Sequence, residues 1–518
     1  MNDNRIRKNS MVSGALILGV CMVFARFLGV FFRIPLQNLI KDEGMGYYQM
    51  SYPIYMTFVA IASGIPIALS KMVSEYNAKG KLEHIRVCVR STLYIMLIFA
   101  GSTSLVLLLF SKKIVMLFGW HHKSYYAFLI TAIAPIFVVI LGTFRGFFQG
   151  IRNMAPSGVS QIIEQLGRVV LGVGIAYMLF PKGVEYSAAG AVIGTVIGAA
   201  IAGVYLLIKY CKVIKVFPSG NMINQRKIMR KIISIAFPIS IVTTMGSLMV
   251  LFDNMIVPKR LITAGFSKMQ ITIIFGQTYG KAATLNNVPL ALSMAICASI
   301  VPVIAEARLR DFRLFKSKVQ LATKLAIVIA LPSAAGLYFM AFPIMDMIFV
   351  GSTGGYEILK LFAISLPFIV VCQATTSIFN AIGKYHVPII NLGIGCIIKV
   401  SLTYFLVGIP YVNIKGALLG TIVGYIFASS MNIMYIKRKL KVEINNYELL
   451  FKPIIATMIM IISVVFTYTN VYNYTGSNTF SCIISIFIGA LCYFIMVFGL
   501  RIFDFDEIKI RFNRKSKR

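Results

Sequence analysis

The chain has 518 residues, 58% of them hydrophobic and only 13% charged; a soluble globular domain carries roughly 25% charged residues, so that class is excluded. A net charge of +34 would suit a nucleic-acid partner, but the basic residues are spread through short segments between apolar runs. Those runs are about 20 residues long, enough to cross ~30 Å of hydrocarbon as helices, and lipid leaves such a segment no backbone partner but itself.

In chain order the apolar runs predict spans near 11–38, 48–70, 91–110, 125–144, 157–180 and 187–208. A second set follows near 232–257, 280–305, 325–348, 357–381, 388–410 and 416–436, with two more at 453–472 and 479–500. The expected fold is an all-α polytopic membrane protein of about fourteen transmembrane helices. The first run follows a basic segment, Arg5 to Ser10, as in a signal-anchor; no small-residue cleavage site closes it, so it counts as a span. With the N-terminus in the cytoplasm, 36 Lys and Arg fall in cytoplasmic segments and 9 in outer loops. That asymmetry predicts cytoplasmic termini in a cell membrane. It also gives the basic charge a role against anionic lipid, so nucleic acid is not needed as a partner.

The chain repeats itself. Pro53 and Pro66 bracket Ala62-Ser63 as Pro289 and Pro302 bracket Ala298-Ser299. Gly190-Ala191-x-x-Gly194-Thr195-x-x-Gly198 returns as Gly416-Ala417-x-x-Gly420-Thr421-x-x-Gly424, and Phe147…Arg152…Pro156 as Phe379…Lys384…Pro388. Spans 2, 4–5 and 6 thus match spans 8, 10–11 and 12. This predicts two six-helix lobes related by a parallel repeat, 1–230 and 231–440, with two further helices and a basic tail in 441–518. A hollow between such lobes would be a transport site. Glycines at i, i+4 and i+8 predict close helix packing rather than a ligand role. The four prolines are expected to ease bending during gating.

Ionisable side chains within spans mark candidate sites, because placing them in lipid is costly. Arg26 and Arg33 lie seven residues apart, putting both on one helix face about 10 Å apart, suited to an extended phosphate-bearing anion. Arg33 could instead snorkel to the head groups. Glu164 and Arg168, at i and i+4, can pair, either as buried neutralisation or as an ion relay or substrate contact. Lys281, Lys360 and Lys399 add positive charge, while Asp253 and Glu357 fall near outer ends, where solvation is expected. The excess of cations predicts an anionic cargo.

The eight cysteines are scattered without a C-x-x-C pair and read as small buried residues. His121-His122 reads as solvated rather than metal-bound. No P-loop or hydrolase motif is present, so no cofactor and no enzymatic activity are expected. The drive would then be an ion gradient, the membrane potential or the cargo's own gradient.

Arg26-Phe-Leu-Gly29…Arg33-Ile-Pro-Leu36, Asp42-Glu-Gly44-Met-Gly46-Tyr-Tyr-Gln-Met-Ser-Tyr-Pro-Ile-Tyr55 and Gly64-Ile-Pro66…Ser70-Lys-Met-Val-Ser-Glu75 closely resemble the stage V sporulation protein B group. That group belongs to the multidrug/oligosaccharidyl-lipid/polysaccharide (MOP) flippase superfamily. Pro156-Ser-Gly-Val-Ser160-Gln-Ile-Ile-Glu164-Gln-Leu-Gly-Arg168 and Asp253-Asn…Val257-Pro-Lys-Arg-Leu261 are similar to it as well. The resemblance implies two lobes in a V around a cavity and two extra helices able to bind a lipid tail. It also implies flipping of undecaprenyl-pyrophosphate-linked precursors, with lipid II of peptidoglycan or spore cortex as cargo. The MurJ-like lipid II flippases carry first-helix cavity arginines in an Arg-x-Leu-Gly setting, which Arg26-Phe-Leu-Gly29 matches and Arg33 extends with one extra residue. Their eighth-helix arginine has only Lys281 nearby, a turn out of register. The partners implied are a lipid-linked anionic saccharide, membrane lipids, a coupling ion (H+ or Na+) and cell-wall synthases. The rival readings are export of another polysaccharide-lipid, ion-coupled drug efflux, and a non-transporting scaffold for wall or spore assembly.

Overall fold

The computed structural model describes residues 11–218, 224–443 and 447–502. The regular structure there is helical: α1 Met11–Ala62, α2 Gly64–Ala78, α3 Leu82–Leu109, α4 Ser111–Leu117, α5 Ser124–Gly150, α6 Ala155–Leu179, α7 Val184–Val213, α8 Gln225–Thr263 and α9 Lys268–Phe275. A π-helical turn, Gly276–Ala282, leads into α10 Ala283–Arg310. The chain continues through α11 Phe312–Phe339, α12 Ala341–Ile348, α13 Tyr356–Ala381, α14 His386–Val407, α15 Lys415–Lys439, α16 Lys452–Thr475 and α17 Asn478–Gly499. One compact unit comprises the described residues through Thr284 with Val400–Ala417; a second comprises Leu285–Lys399 with the described residues from Leu418 onward.

Among the described residues, eleven helical stretches are long and apolar enough to cross a membrane, or up to twelve if the bent α8 is one span. One difference from the sequence expectation stands out. The loop expected at 39–47 is helical, so α1 continues through it with one non-helical residue, Lys41 (φ 55°, ψ −164°), and Phe31–Ala78 forms one apolar stretch.

The bends have local causes. The helical chain breaks between Ala62 and Gly64, next to Pro66, which has no N–H to return to the Ala62 carbonyl. Hydroxyls of α8 take the carbonyls released nearby: Ser240 donates to Ile61 O at 2.7 Å and Thr243 to Ala60 O at 2.9 Å. α8 itself bends by 51° between Gln225–Ile241 and Thr243–Thr263, just after Pro238. α1 runs on through Pro53.

The glycine ladders pack helices at backbone distance. A methyl on Gly194 would overlap the Gly172 backbone, and one on Gly198 would lie 2.8 Å from Glu164 O, so α7 sits directly on α6. In the second unit a methyl on Gly424 would lie 2.6 Å from Gly395 O. The repeated motif therefore presses α15 onto α14 as it presses α7 onto α6. Elsewhere the helices meet through apolar side chains, such as Leu141, Phe144, Phe147 and Phe148 of α5 packed with Leu69, Met72 and Val73 of α2. Met458, Ile462 and Phe466 form an exposed stripe at i, i+4, i+8 on α16. A face of that kind is stable against lipid, where apolar exposure costs nothing.

Candidate functional site

The site lies in the first unit and is built on α1. The break at Lys41 brings Asp42 to the start of a new helical stretch, against α9 and the π-helical turn. Asp42 Oδ1 receives Lys281 Nζ at 2.6 Å and Gln37 Nε2 at 2.7 Å, and its Oδ2 receives Gln277 Nε2 at 3.1 Å. Lys281 is fully buried. Only glycine allows the approach: a methyl on Gly276 would fall on the Asp42 carbonyl, and one on Gly46 on Thr272 O. Gly276→Ala should therefore lower stability by about 1–3 kcal/mol through overpacking. Gly246→Ala, whose methyl would meet nothing within 4 Å, should not lower it; thermal denaturation in detergent compares the two.

Arg33 lies one helical turn before Gln37. Its Nη1 donates to Thr284 Oγ1 at 3.2 Å, and its guanidinium stands 5.7 Å from the centre of the Tyr52 ring. Arg33 is half-buried and engaged with protein groups rather than reaching outward. Tyr48, Tyr52 and Tyr55 share a face of α1, with successive ring centroids 5.7 and 5.9 Å apart. Beside them is a hollow of about 20 Å³, lined also by Ser51, Thr131 and Thr195, with room for a water molecule.

Arg168 of α6 completes this neighbourhood. It is 9% exposed, and its electrostatic neighbours are Tyr52, Tyr48, Tyr55 and Glu164; Tyr48 also feels Arg33. Arg168 Nη2 is 3.9 Å from Glu164 Oε1, so the expected i, i+4 pair forms but only loosely. The tighter partner of Glu164 is Arg145, whose Nη2 lies 2.9 Å from Oε2 and whose Nε donates to Ser160 Oγ at 2.8 Å.

Of the expected site residues, the structure thus gathers Arg33, Glu164 and Arg168 around the tyrosine face. Lys281 belongs to the neighbouring Asp42 cluster, three residues before the Thr284 hydroxyl that accepts from Arg33. Arg26 lies on α1, but its side chain is outside the described residues. Sequence reasoning missed Arg145, since α5 runs on to Gly150 and carries it inside the helix. It also missed Asp42 and the tyrosines, although spacings of four and three residues put Tyr48, Tyr52 and Tyr55 on one helical face. Asp253 is corrected as well: it is buried and accepts from Tyr279 Oη at 3.3 Å, so it is not a solvated terminus charge.

At the loop before α5, the His121 and His122 rings lie tilted with centroids 4.3 Å apart, and Tyr47 Oη lies 3.5 Å from His121 Nδ1. Burial, then the neighbouring His122 and Lys123, lower the His121 pKa below the ordinary value. Among the described residues no group of His, Cys, Asp and Glu could hold a metal ion.

Long apolar helices around a cation-rich, tyrosine-faced interior make the chain a polytopic helical membrane protein. The profile of the polysaccharide biosynthesis protein family matches residues 11–308, and the chain belongs to that family. Stage V sporulation protein B of Bacillus subtilis (strain 168) is 27% identical over 467 residues, covering 86% of this chain and 88% of that protein. The lipid II flippase MurJ of the same organism is 24% identical over 478 residues, covering 87% and 86%. The solved structure of a lipid II flippase MurJ in an inward closed conformation superposes with a TM-score of 0.73 at 17% identity, covering 94% of this chain and 99% of that one. The fold is therefore MurJ-like.

Proposed function

We propose that this protein is a flippase for undecaprenyl-pyrophosphate-linked cell-wall precursor, with lipid II as cargo for peptidoglycan or spore cortex. Fourteen spans would form two six-helix lobes, 1–230 and 231–440, with the helices of 441–518 guiding the polyprenyl tail and both termini in the cytoplasm. Transport would proceed by alternating access, with bending near the prolines. The observation that carries this reading is a set of guanidinium groups: Arg145 and Arg168 beside the single carboxylate of Glu164, and Arg33 by the Tyr52 ring that also neighbours Arg168. A planar guanidinium fork matches phosphate oxygens, and a cationic interior disfavours cationic drugs. Arg26 and Arg33 would hold the diphosphate, Arg168 would add to the field, and Lys281 would act from the adjoining Asp42 cluster. The near-complete coverage of the MurJ and stage V sporulation protein B relatives supports the same class of cargo.

The test is genetic replacement. In a bacterium whose own lipid II flippase can be switched off, this protein should sustain growth and keep lipid II from accumulating at the inner leaflet. Death on depletion, with the protein present in the membrane at normal levels, would reject lipid II as cargo.

A further inference from the structure

We propose that Arg145 is a positioning residue: it draws Glu164 away from Arg168 and so keeps the Arg168 charge available to an anionic cargo. The inference rests on the anionic-lipid reading above and extends it to a residue that neither resemblance nor sequence pattern singled out.

Glu164 stands between two arginines and divides itself unequally. Its Oε2 lies 2.9 Å from Arg145 Nη2, a charge-assisted hydrogen bond. Its Oε1 lies 3.9 Å from Arg168 Nη2, beyond hydrogen-bond reach. The nearer arginine is fixed from several sides. Arg145 Nε donates to Ser160 Oγ at 2.8 Å, Ser160 Oγ donates to Ser157 O at 2.7 Å, and Ser157 Oγ donates to Arg145 O at 3.3 Å. These bonds set the direction of the guanidinium fork, and the fork sets the carboxylate.

The consequence falls on Arg168. Its Nε is buried and has no hydrogen-bond partner, which is costly for a polar group and exceptional in a folded protein. A buried guanidinium ordinarily claims the nearest carboxylate in a bidentate pair, and Glu164 sits one helical turn away. Arg145 prevents this. The two arginines and one glutamate together retain one positive charge, and the donor left over is on the arginine beside Tyr48 and Tyr52, the face shared with Arg33. A diphosphate or a carboxylate on the cargo is the chemistry that would satisfy it.

Two accounts of Arg145 make opposite predictions. If it only ties α5 to α6, its loss harms the protein however Glu164 is treated. If it guards the charge of Arg168, its loss matters because Glu164 then closes on Arg168, and removing Glu164 as well should restore function. Binding of farnesyl diphosphate to the purified full-length protein in detergent, with farnesol as the uncharged control, separates them. Arg145→Gln should weaken farnesyl diphosphate binding roughly tenfold, the loss expected for about one charge-assisted contact, while Arg145→Gln with Glu164→Gln should return to near wild-type affinity. Should Arg145→Gln not fold, Glu164→Gln alone decides: binding as tight as wild type or tighter supports the inference, and loss of binding overturns it. A double variant as weak as Arg145→Gln overturns the inference while leaving the cargo reading intact. A wild-type protein that binds farnesol as well as the diphosphate overturns the anionic-cargo reading and this inference with it.

Discussion

Asp42→Asn should destabilise the protein by about 3–5 kcal/mol, the range for breaking a buried ion pair by removing one partner. The substitution takes a carboxylate away from beside the ammonium of Lys281, which is 0% exposed and 2.6 Å distant. Lys281→Met should cost less. The carboxylate it leaves behind is 13% exposed and keeps the Gln37 and Gln277 amides as donors, so its charge is still solvated by dipoles. The double variant should recover much of the Asp42→Asn loss, since two neutral side chains of similar volume replace a paired charge. Unfolding monitored in detergent for the four proteins gives the coupling directly. Additive single effects would mean that the pair is not the organising contact between the α1 break and the π-helical turn.

Arg33→Gln should reduce the rate of lipid translocation roughly 10- to 100-fold, the equivalent of one or two lost charge-assisted hydrogen bonds to phosphate. The protein itself should remain folded. Arg33 is half-buried, and its partners in the structure are one neutral hydroxyl, Thr284, and one ring face, Tyr52. Neither is a buried charge that the substitution would strand. Thr284→Val, which removes the hydroxyl but keeps the arginine, should change the rate by only a few fold. An equal loss in both variants would place Arg33 in the packing of α1 rather than in contact with cargo.

Much of the fold was legible because lipid imposes simple rules. Apolar runs of helix-spanning length became helices, and the glycine ladders became the close α6–α7 and α14–α15 contacts that their spacing required. The α1 break was misread because Lys41, Asp42 and Glu43, with Gly44 and Gly46, look like a solvated turn. Only Lys41 leaves the helical conformation, and the segment from Asp42 onward remains helical because Lys281, Gln277 and Thr272, all distant in sequence, pack against Asp42 and Gly46. The end of α5 was set too early for a similar reason. Arg145 reads as a loop cation until Glu164 and Ser160, on the next helix, are seen to receive it. Asp253 likewise looked like a solvated helix end because its partner, Tyr279, lies in the π-helical turn. In each case a polar residue was assigned to water when the protein supplied its partner, and periodicity within one segment carries no trace of that partner. The candidate cations Arg33 and Arg168 were legible from their depth within apolar runs, whereas the unequal sharing of Glu164 depends on three side chains from two helices.

Liposomes holding the purified protein and a fluorescent undecaprenyl-pyrophosphate disaccharide-peptide, challenged with a membrane-impermeant quencher, measure the central claim most directly. The wild-type protein should expose the inner-leaflet label at a rate well above protein-free liposomes, and Arg33→Gln and Arg168→Gln should each slow that exposure. Label that stays protected with wild-type protein, or equal rates for all three proteins, would contradict the assignment of a diphosphate-linked cargo to the arginines around Tyr52.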